Sequence, residues 1–136
     1  MSTVVYKIFD EDAKYYFELH VSKTPELMRE NIDAIFKSSR LKKKDFSHTL
    51  GMFSPILHLD RKQYGYMFLN EECLVASIVA HECLHAAFAY ERFVAKKRTY
   101  YGTECGKSEE RLAYTFSYIV RSVYTTLYDN NHIKEA

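Results

Sequence analysis

The chain has 136 residues, so we expect one compact domain spanning residues 1–136. Its formal net charge of +1 gives no overall attraction to nucleic acid or to a membrane surface. Hydrophobic residues make up 47% of the chain, enough for a core, and no apolar run has the length of a membrane span. Three cysteines without framework spacing, and no signal-like N-terminal segment, favour a cytoplasmic protein.

The first third of the chain predicts two strands followed by a helix. Val4–Phe9 and Tyr15–Val21 have strand composition and are separated by the acidic turn Asp10–Asp12. Thr24 is suited to cap a helix whose first position is Pro25. Apolar residues then recur at helical spacing, and this helix is expected to end near residue 39.

A second pair of strands is predicted before the middle of the chain. Gly51–Leu59 is strand-like, Tyr64–Leu69 is rich in aromatic residues, and Asp60–Gln63 between them suits a hairpin connection. Tyr64–Leu69 is either an edge strand, able to pair with an extended substrate, or an inner strand packed on helices. The sequence does not decide between these two alternatives.

The most informative motif follows, in a long apolar stretch without glycine from Asn70 to about Val94 that predicts a helix. It is an H-E-x-x-H pentad, His81-Glu82-Cys83-Leu84-His85. Histidines four residues apart lie on one face of a helix, about 6 Å apart along its axis, and can bind one zinc ion. Glu82 lies beside them, where it can act as a general base on water without being a ligand.

The surroundings of the pentad favour a metal site over a chance pattern. The two histidines and Glu82 fall on a stripe with Leu74, Ile78 and Phe88, which we expect to be buried. Burying a carboxylate and two imidazoles is costly unless a metal compensates. Cys83 lies about 200° around the helix from His81, so it is predicted to be a small buried residue on the opposite face.

A catalytic zinc site needs a third protein ligand. The downstream candidates are Glu91, Glu104, Glu109, Glu110 and His132. Ser108-Glu109-Glu110 has the composition of a helix start, with Ser108 as its N-cap, and an apolar-periodic segment runs on to Leu127. Periodicity favours Glu109, which projects from the centre of the apolar stripe. His132 lies in a polar tail and is expected to be exposed.

The two helices together resemble small zincin-like proteins of phages and prophages and, more distantly, ImmA/IrrE-type peptidase domains. The resemblance rests on His81-Glu82-x-x-His85-Ala86-Ala87 and on Glu110-x-x-Ala113-Tyr114, and it covers about Tyr64 to Tyr124. It implies Glu110 as the third ligand, with Glu109 as the alternative. The chain departs from the ImmA/IrrE pattern in having Cys83-Leu84 in place of Leu-Gly, and Tyr114 in place of Asn, which puts a role for Tyr114 in doubt.

The sequence therefore predicts an α+β, minimal zincin-like domain. A small antiparallel or mixed sheet should pack against a metal-binding helix and a second ligand-bearing helix, with the metal-site half at about 64–128. The expected function is a zinc-dependent metallopeptidase in which His81, His85 and Glu110 bind Zn²⁺ and Glu82 is the general base. Its partner would be a peptide or protein substrate whose identity the sequence does not give.

Two other functions remain open. The first is a zincin-fold binding module that retains the metal without catalysis, such as a phage protein that occupies a host factor. The second, and least favoured, is a nucleic-acid-associated protein that uses the basic runs Lys42–Lys44 and Lys96–Arg98.

Overall fold

A computed structural model describes residues 3–37, 48–56, 62–96 and 105–133. The fold is α+β, as predicted. Its elements in chain order are β1 (Thr3–Phe9), β2 (Tyr16–Ser22), α1 (Pro25–Ile35), β3 (Met52–Pro55), β4 (Gln63–Asn70), α2 (Ala76–Ala89) and α3 (Cys105–Asp129). A short 3₁₀ turn at Glu71–Cys73 precedes α2, and a π-helical turn at Tyr90–Val94 follows it.

The four strands form one mixed sheet in the order β1-β2-β4-β3. β1 pairs antiparallel with β2, β2 pairs parallel with β4, and β3 pairs antiparallel with β4. The predicted segment Tyr64–Leu69 is thus an inner strand with a neighbour on each side, and β3 is the edge strand beside α2.

Helices cover both faces of this sheet. Met28 and Ile32 of α1 pack on Phe68 on one face. The larger core lies on the other face, where alternate residues of β2 and β4 meet α2 and α3. From β2 these residues are Phe17, Leu19 and Val21, all buried.

The start of α1 follows the prediction, because the Thr24 side chain accepts a hydrogen bond from the Leu27 backbone N–H at 3.2 Å and Pro25 opens the helix. The helix ends at Ile35, earlier than predicted. The lysine run at 42–44 and the segment 97–104, which contains Glu104, lie outside the described residues.

The prediction for α2 was wrong in its start and in its buried face. The helix begins at Ala76, because β4 and the 3₁₀ turn occupy the preceding residues. Its buried side carries Val79, Cys83, Ala86 and Ala87, whereas His81, His85 and Phe88 are exposed. Apolar residues lie all around this helix, so hydrophobic periodicity could not identify the side that packs on the sheet.

α3 also begins earlier than expected. Its first residue is Cys105, so Ser108 is not the N-cap but a buried residue inside the helix. The buried stripe continues through Ile119, Val123 and Leu127. No helix in the described ranges is both long enough and apolar enough to cross a bilayer.

One irregularity in β4 changes the direction of a large side chain. The register between β2 and β4 shifts so that Tyr16 pairs with Gln63 while Phe17 pairs with Gly65. Tyr64 is the extra residue of this β-bulge, and its side chain joins the core on the α2–α3 face. The next residue, Gly65, is required by packing, since a Cβ there would lie 2.4 Å from Cζ of Phe53.

Candidate metal centre

The two histidines of the pentad face one another on α2. Their Nε2 atoms are 3.2 Å apart, and their ring planes are inclined by 77°. This contact follows from the spacing of four residues on a regular helix. The side chains lie on an exposed part of the helix surface, not on the buried stripe that the sequence predicted.

The separation of the two nitrogens fits a shared zinc ion. With Zn–N bonds of about 2.05 Å, an N···N distance of 3.2 Å corresponds to an N–Zn–N angle of about 100°, close to the tetrahedral value. In the absence of an ion, one neutral imidazole can donate its Nε2–H to the other. The donor type and the distance between the nitrogens therefore both suit zinc.

Glu82 lies beside the pair and is buried, with 7% of its surface exposed. Burial raises the pKa of its carboxyl group, while His81, His85 and a hydrogen bond from the Phe53 backbone act in the opposite direction. The carboxylate is thus fixed between α2 and the edge strand β3. A carboxyl group with a raised pKa beside two imidazoles is suited to accept and return a proton.

An open cleft of about 340 Å³ adjoins this group. It is lined by His48, Leu50, Gly51, Ser77, Ile78, His81 and Glu82. Gly51 is essential to the packing here, because a Cβ at that position would lie 2.8 Å from Cγ2 of Ile78. The sequence assigned no role to His48 and missed Gly51, since neither has a partner at motif spacing.

The third ligand is not identified by the geometry. Glu109 and Glu110 are both exposed in the first turns of α3, so the expectation that Glu109 projects from the apolar stripe was wrong. Glu91 is buried, 3.9 Å from Nε of Arg111. Within the described ranges no three His, Cys, Asp or Glu side chains are placed to hold a metal ion together. Glu110 stays a prediction.

Two other residues that the sequence analysis considered, Tyr114 and Cys83, lie away from the histidine pair. The hydroxyl of Tyr114 donates to both carboxylate oxygens of Glu11, at 2.9 and 3.0 Å, and lines a different cavity. Cys83 is fully buried on the far side of α2, as predicted, and burial raises the pKa of its thiol to about 12. It therefore remains a protonated thiol at neutral pH.

The free edge of β3 offers little to an incoming peptide strand. Ile56 donates its backbone N–H to Tyr64 of β4, so alternation directs the backbone of Phe53 and Pro55 away from β4. The Phe53 N–H is engaged by Glu82, and Pro55 has no N–H. A substrate pairing with this edge would lack both outward donors of the strand.

Comparisons with protein-family models, with curated proteins and with solved structures find no match to this chain.

Proposed function

We propose that this protein is a zinc-dependent hydrolase acting on a peptide or protein substrate. His81 and His85 would hold the ion with Glu110 as third ligand, and Glu82 would be the general base. The observation that carries the proposal is the 3.2 Å separation of the two Nε2 atoms beside a buried carboxylate. Glu110 rests on the sequence resemblance alone.

The chain's own residues suggest how the reaction would proceed. When bound, zinc supplies a Lewis acid that makes water a better nucleophile near neutral pH. The Glu82 carboxylate would take a proton from the attacking water and return it to the leaving amine. Its burial favours the protonated form during the interval, and the Phe53 backbone fixes its orientation. The open cleft beside His81 is where the substrate would bind.

Zinc content tests the site directly. Purified wild type should bind about one zinc per chain, and His81→Ala or His85→Ala should weaken binding on the order of 100-fold or more. Glu110→Ala should weaken it as well, while Glu109→Ala should not. His132→Ala is the matched control, since both ring nitrogens of His132 are engaged elsewhere. Wild type that binds no zinc would refute the proposal. If Glu109→Ala loses zinc and Glu110→Ala keeps it, the third ligand is Glu109 and not Glu110.

Hydrolysis tests the role of Glu82. Glu82→Gln keeps the size of the side chain but cannot accept a proton, so it should retain zinc and lose turnover by about 10²–10⁴-fold. The assay is hydrolysis of a peptide library by wild type and variant at equal zinc occupancy. Full activity in Glu82→Gln would exclude this mechanism.

A second candidate is a metal-holding binding module without catalysis. It is favoured by one observation: the free edge of β3 lacks both outward N–H donors that a bound peptide strand would use. This candidate predicts zinc binding in wild type and no hydrolysis of any library peptide.

A further inference from the structure

A second cavity, of about 130 Å³, lies between the β1–β2 turn, the start of β4, the π-helical turn after α2, and α3. It shares no lining residue with the cleft beside His81. Its walls include the three acidic residues Asp10–Asp12 and the tyrosines Tyr64, Tyr90, Tyr114 and Tyr118. At this volume it suits the headgroup of a small ligand, since pockets for drug-sized molecules start at about 300 Å³.

Tyr64 presents a hydroxyl group to this cavity. The β-bulge directs its side chain to this face, where its ring packs edge-on against Tyr90 at 5.4 Å. Only 1% of the residue is exposed, and among the described residues its hydroxyl has no hydrogen-bond partner. Burial raises the pKa of this phenol well above its ordinary value, so it stays a neutral hydroxyl. The hydroxyl opens onto the cavity, where a bound ligand could donate a hydrogen bond to it.

The charge of the cavity indicates a cation. Three carboxylates and no basic residue occur among the described residues that line it. Asp10 is fixed in place, because Oδ1 accepts the backbone N–H groups of Lys14 and Tyr15 and Oδ2 accepts the Tyr90 hydroxyl. These acids are not arranged to hold a metal ion, since the described chain contains no such group of three. Carboxylates beside tyrosine faces attract an organic cation instead.

We infer that this cavity binds a small primary ammonium group carried on an alkyl chain. The ammonium would donate one N–H to the Tyr64 hydroxyl and lie close to Asp10 and Glu11. The alkyl carbons would pack on the rings of Tyr90 and Tyr118. An ammonium without N–H groups could not donate to the Tyr64 hydroxyl, and a neutral alcohol would gain no charge–charge attraction from the carboxylates.

The probe is n-butylammonium chloride, titrated into the purified full chain by calorimetry. Saturable binding with a Kd on the order of 1 mM is expected for a ligand of this size. Tyr64→Phe should weaken binding about tenfold, because it removes the acceptor of a charged donor. Tyr66→Phe is the matched control: it removes a hydroxyl from the same strand on the opposite face and should leave the Kd unchanged.

Asp10→Asn keeps the acceptor oxygen of the turn and removes its charge, and should also weaken binding about tenfold. This variant keeps the inference testable if Tyr64→Phe does not fold. Absence of saturable binding would overturn the inference. So would binding of tetramethylammonium or 1-butanol as tight as that of n-butylammonium, or an unchanged Kd in both Tyr64→Phe and Asp10→Asn.

Discussion

The molecule contains two histidine sites that differ in how the imidazole rings are satisfied. Three residues after α3, Nε2 of His132 accepts a hydrogen bond from the Tyr6 hydroxyl at 2.6 Å, and its Nδ1–H donates to Glu71 at 2.8 Å. We call these three residues the C-terminal latch. His81 and His85, in contrast, form a hydrogen bond with each other, and among the described residues neither ring has a hydrogen-bond partner on its second nitrogen.

This difference separates a structural histidine from a candidate ligand. Both nitrogens of His132 are engaged by protein groups, so no lone pair is left for a metal. The latch joins β1, the 3₁₀ turn before α2 and the residues after α3, and therefore holds distant segments together. The side chains of the pair on α2 are exposed, and among the described residues they make no comparable link between distant segments, which suits a candidate binding site.

The largest expected effects on stability and on zinc binding come from replacing one histidine of each site by alanine. His132→Ala removes two hydrogen bonds, one of them to a carboxylate, and should lower the free energy of unfolding by about 2–3 kcal/mol while zinc binding stays unchanged. His85→Ala should do the reverse: it should change the stability of the metal-free protein by no more than about 0.5 kcal/mol and weaken zinc binding on the order of 100-fold or more. Urea denaturation of chelator-treated protein measures the first quantity, and zinc titration the second.

Equal stability losses in the two variants would remove the distinction between the sites. If His132→Ala folds but loses zinc, His132 is a zinc ligand, as its place among the downstream candidates for the third ligand allows.

The sequence predicted best those features that depend on neighbouring residues. The Thr24-Pro25 helix start, the strand segments and the proximity of His81 to His85 all follow from local spacing, and the structure has each of them. The buried position of Cys83 also followed from the helix geometry.

Features that depend on tertiary packing could not be predicted in this way. The face of α2 that packs on the sheet was wrong, because apolar residues surround the helix. His132 was expected to be exposed, but 9% of its side chain is accessible, because Tyr6 is 126 positions away in the chain and no local signal links them. The Tyr64 bulge depends on the register of a parallel neighbour, which a single segment does not encode.

A second prediction concerns how the free energy of unfolding depends on pH through Cys83, on the face of α2 opposite the histidines. Burial raises the pKa of Cys83 from 9.0 to about 12, so between these values the unfolded chain loses the thiol proton and the folded chain keeps it. The stability contribution of this group is complete below pH 9 and decreases as pH rises toward 12. Cys83→Ala should therefore flatten the fall of stability with pH by up to about 1.4 kcal/mol per unit.

Urea denaturation of both proteins in steps from neutral to alkaline pH measures that slope. Cys73→Ala is the control, because this cysteine is partly exposed. A slope unchanged by Cys83→Ala, or one changed equally by Cys73→Ala, would show that the far face of α2 is as accessible to solvent as the histidine face.

The smallest expected effect on stability separates the contributions of the two hydrogen bonds of the latch. Tyr6→Phe removes the hydroxyl that His132 accepts and leaves the bond to Glu71, so it should lower the free energy of unfolding by about 1 kcal/mol, less than His132→Ala. Burial and the nearby Glu71 carboxylate both raise the pKa of Tyr6, which keeps its proton available for donation. Tyr128→Phe is the matched control, because Tyr128 is an exposed tyrosine near the end of α3. It should change the free energy of unfolding by no more than about 0.5 kcal/mol.

If Tyr6→Phe lowers the free energy of unfolding as much as His132→Ala does, the hydrogen bond to Glu71 contributes nothing to stability. The latch would then be a single stabilising contact between β1 and the C-terminal segment. Only Nε2 of His132, and not both of its ring nitrogens, would then distinguish this histidine from the pair on α2.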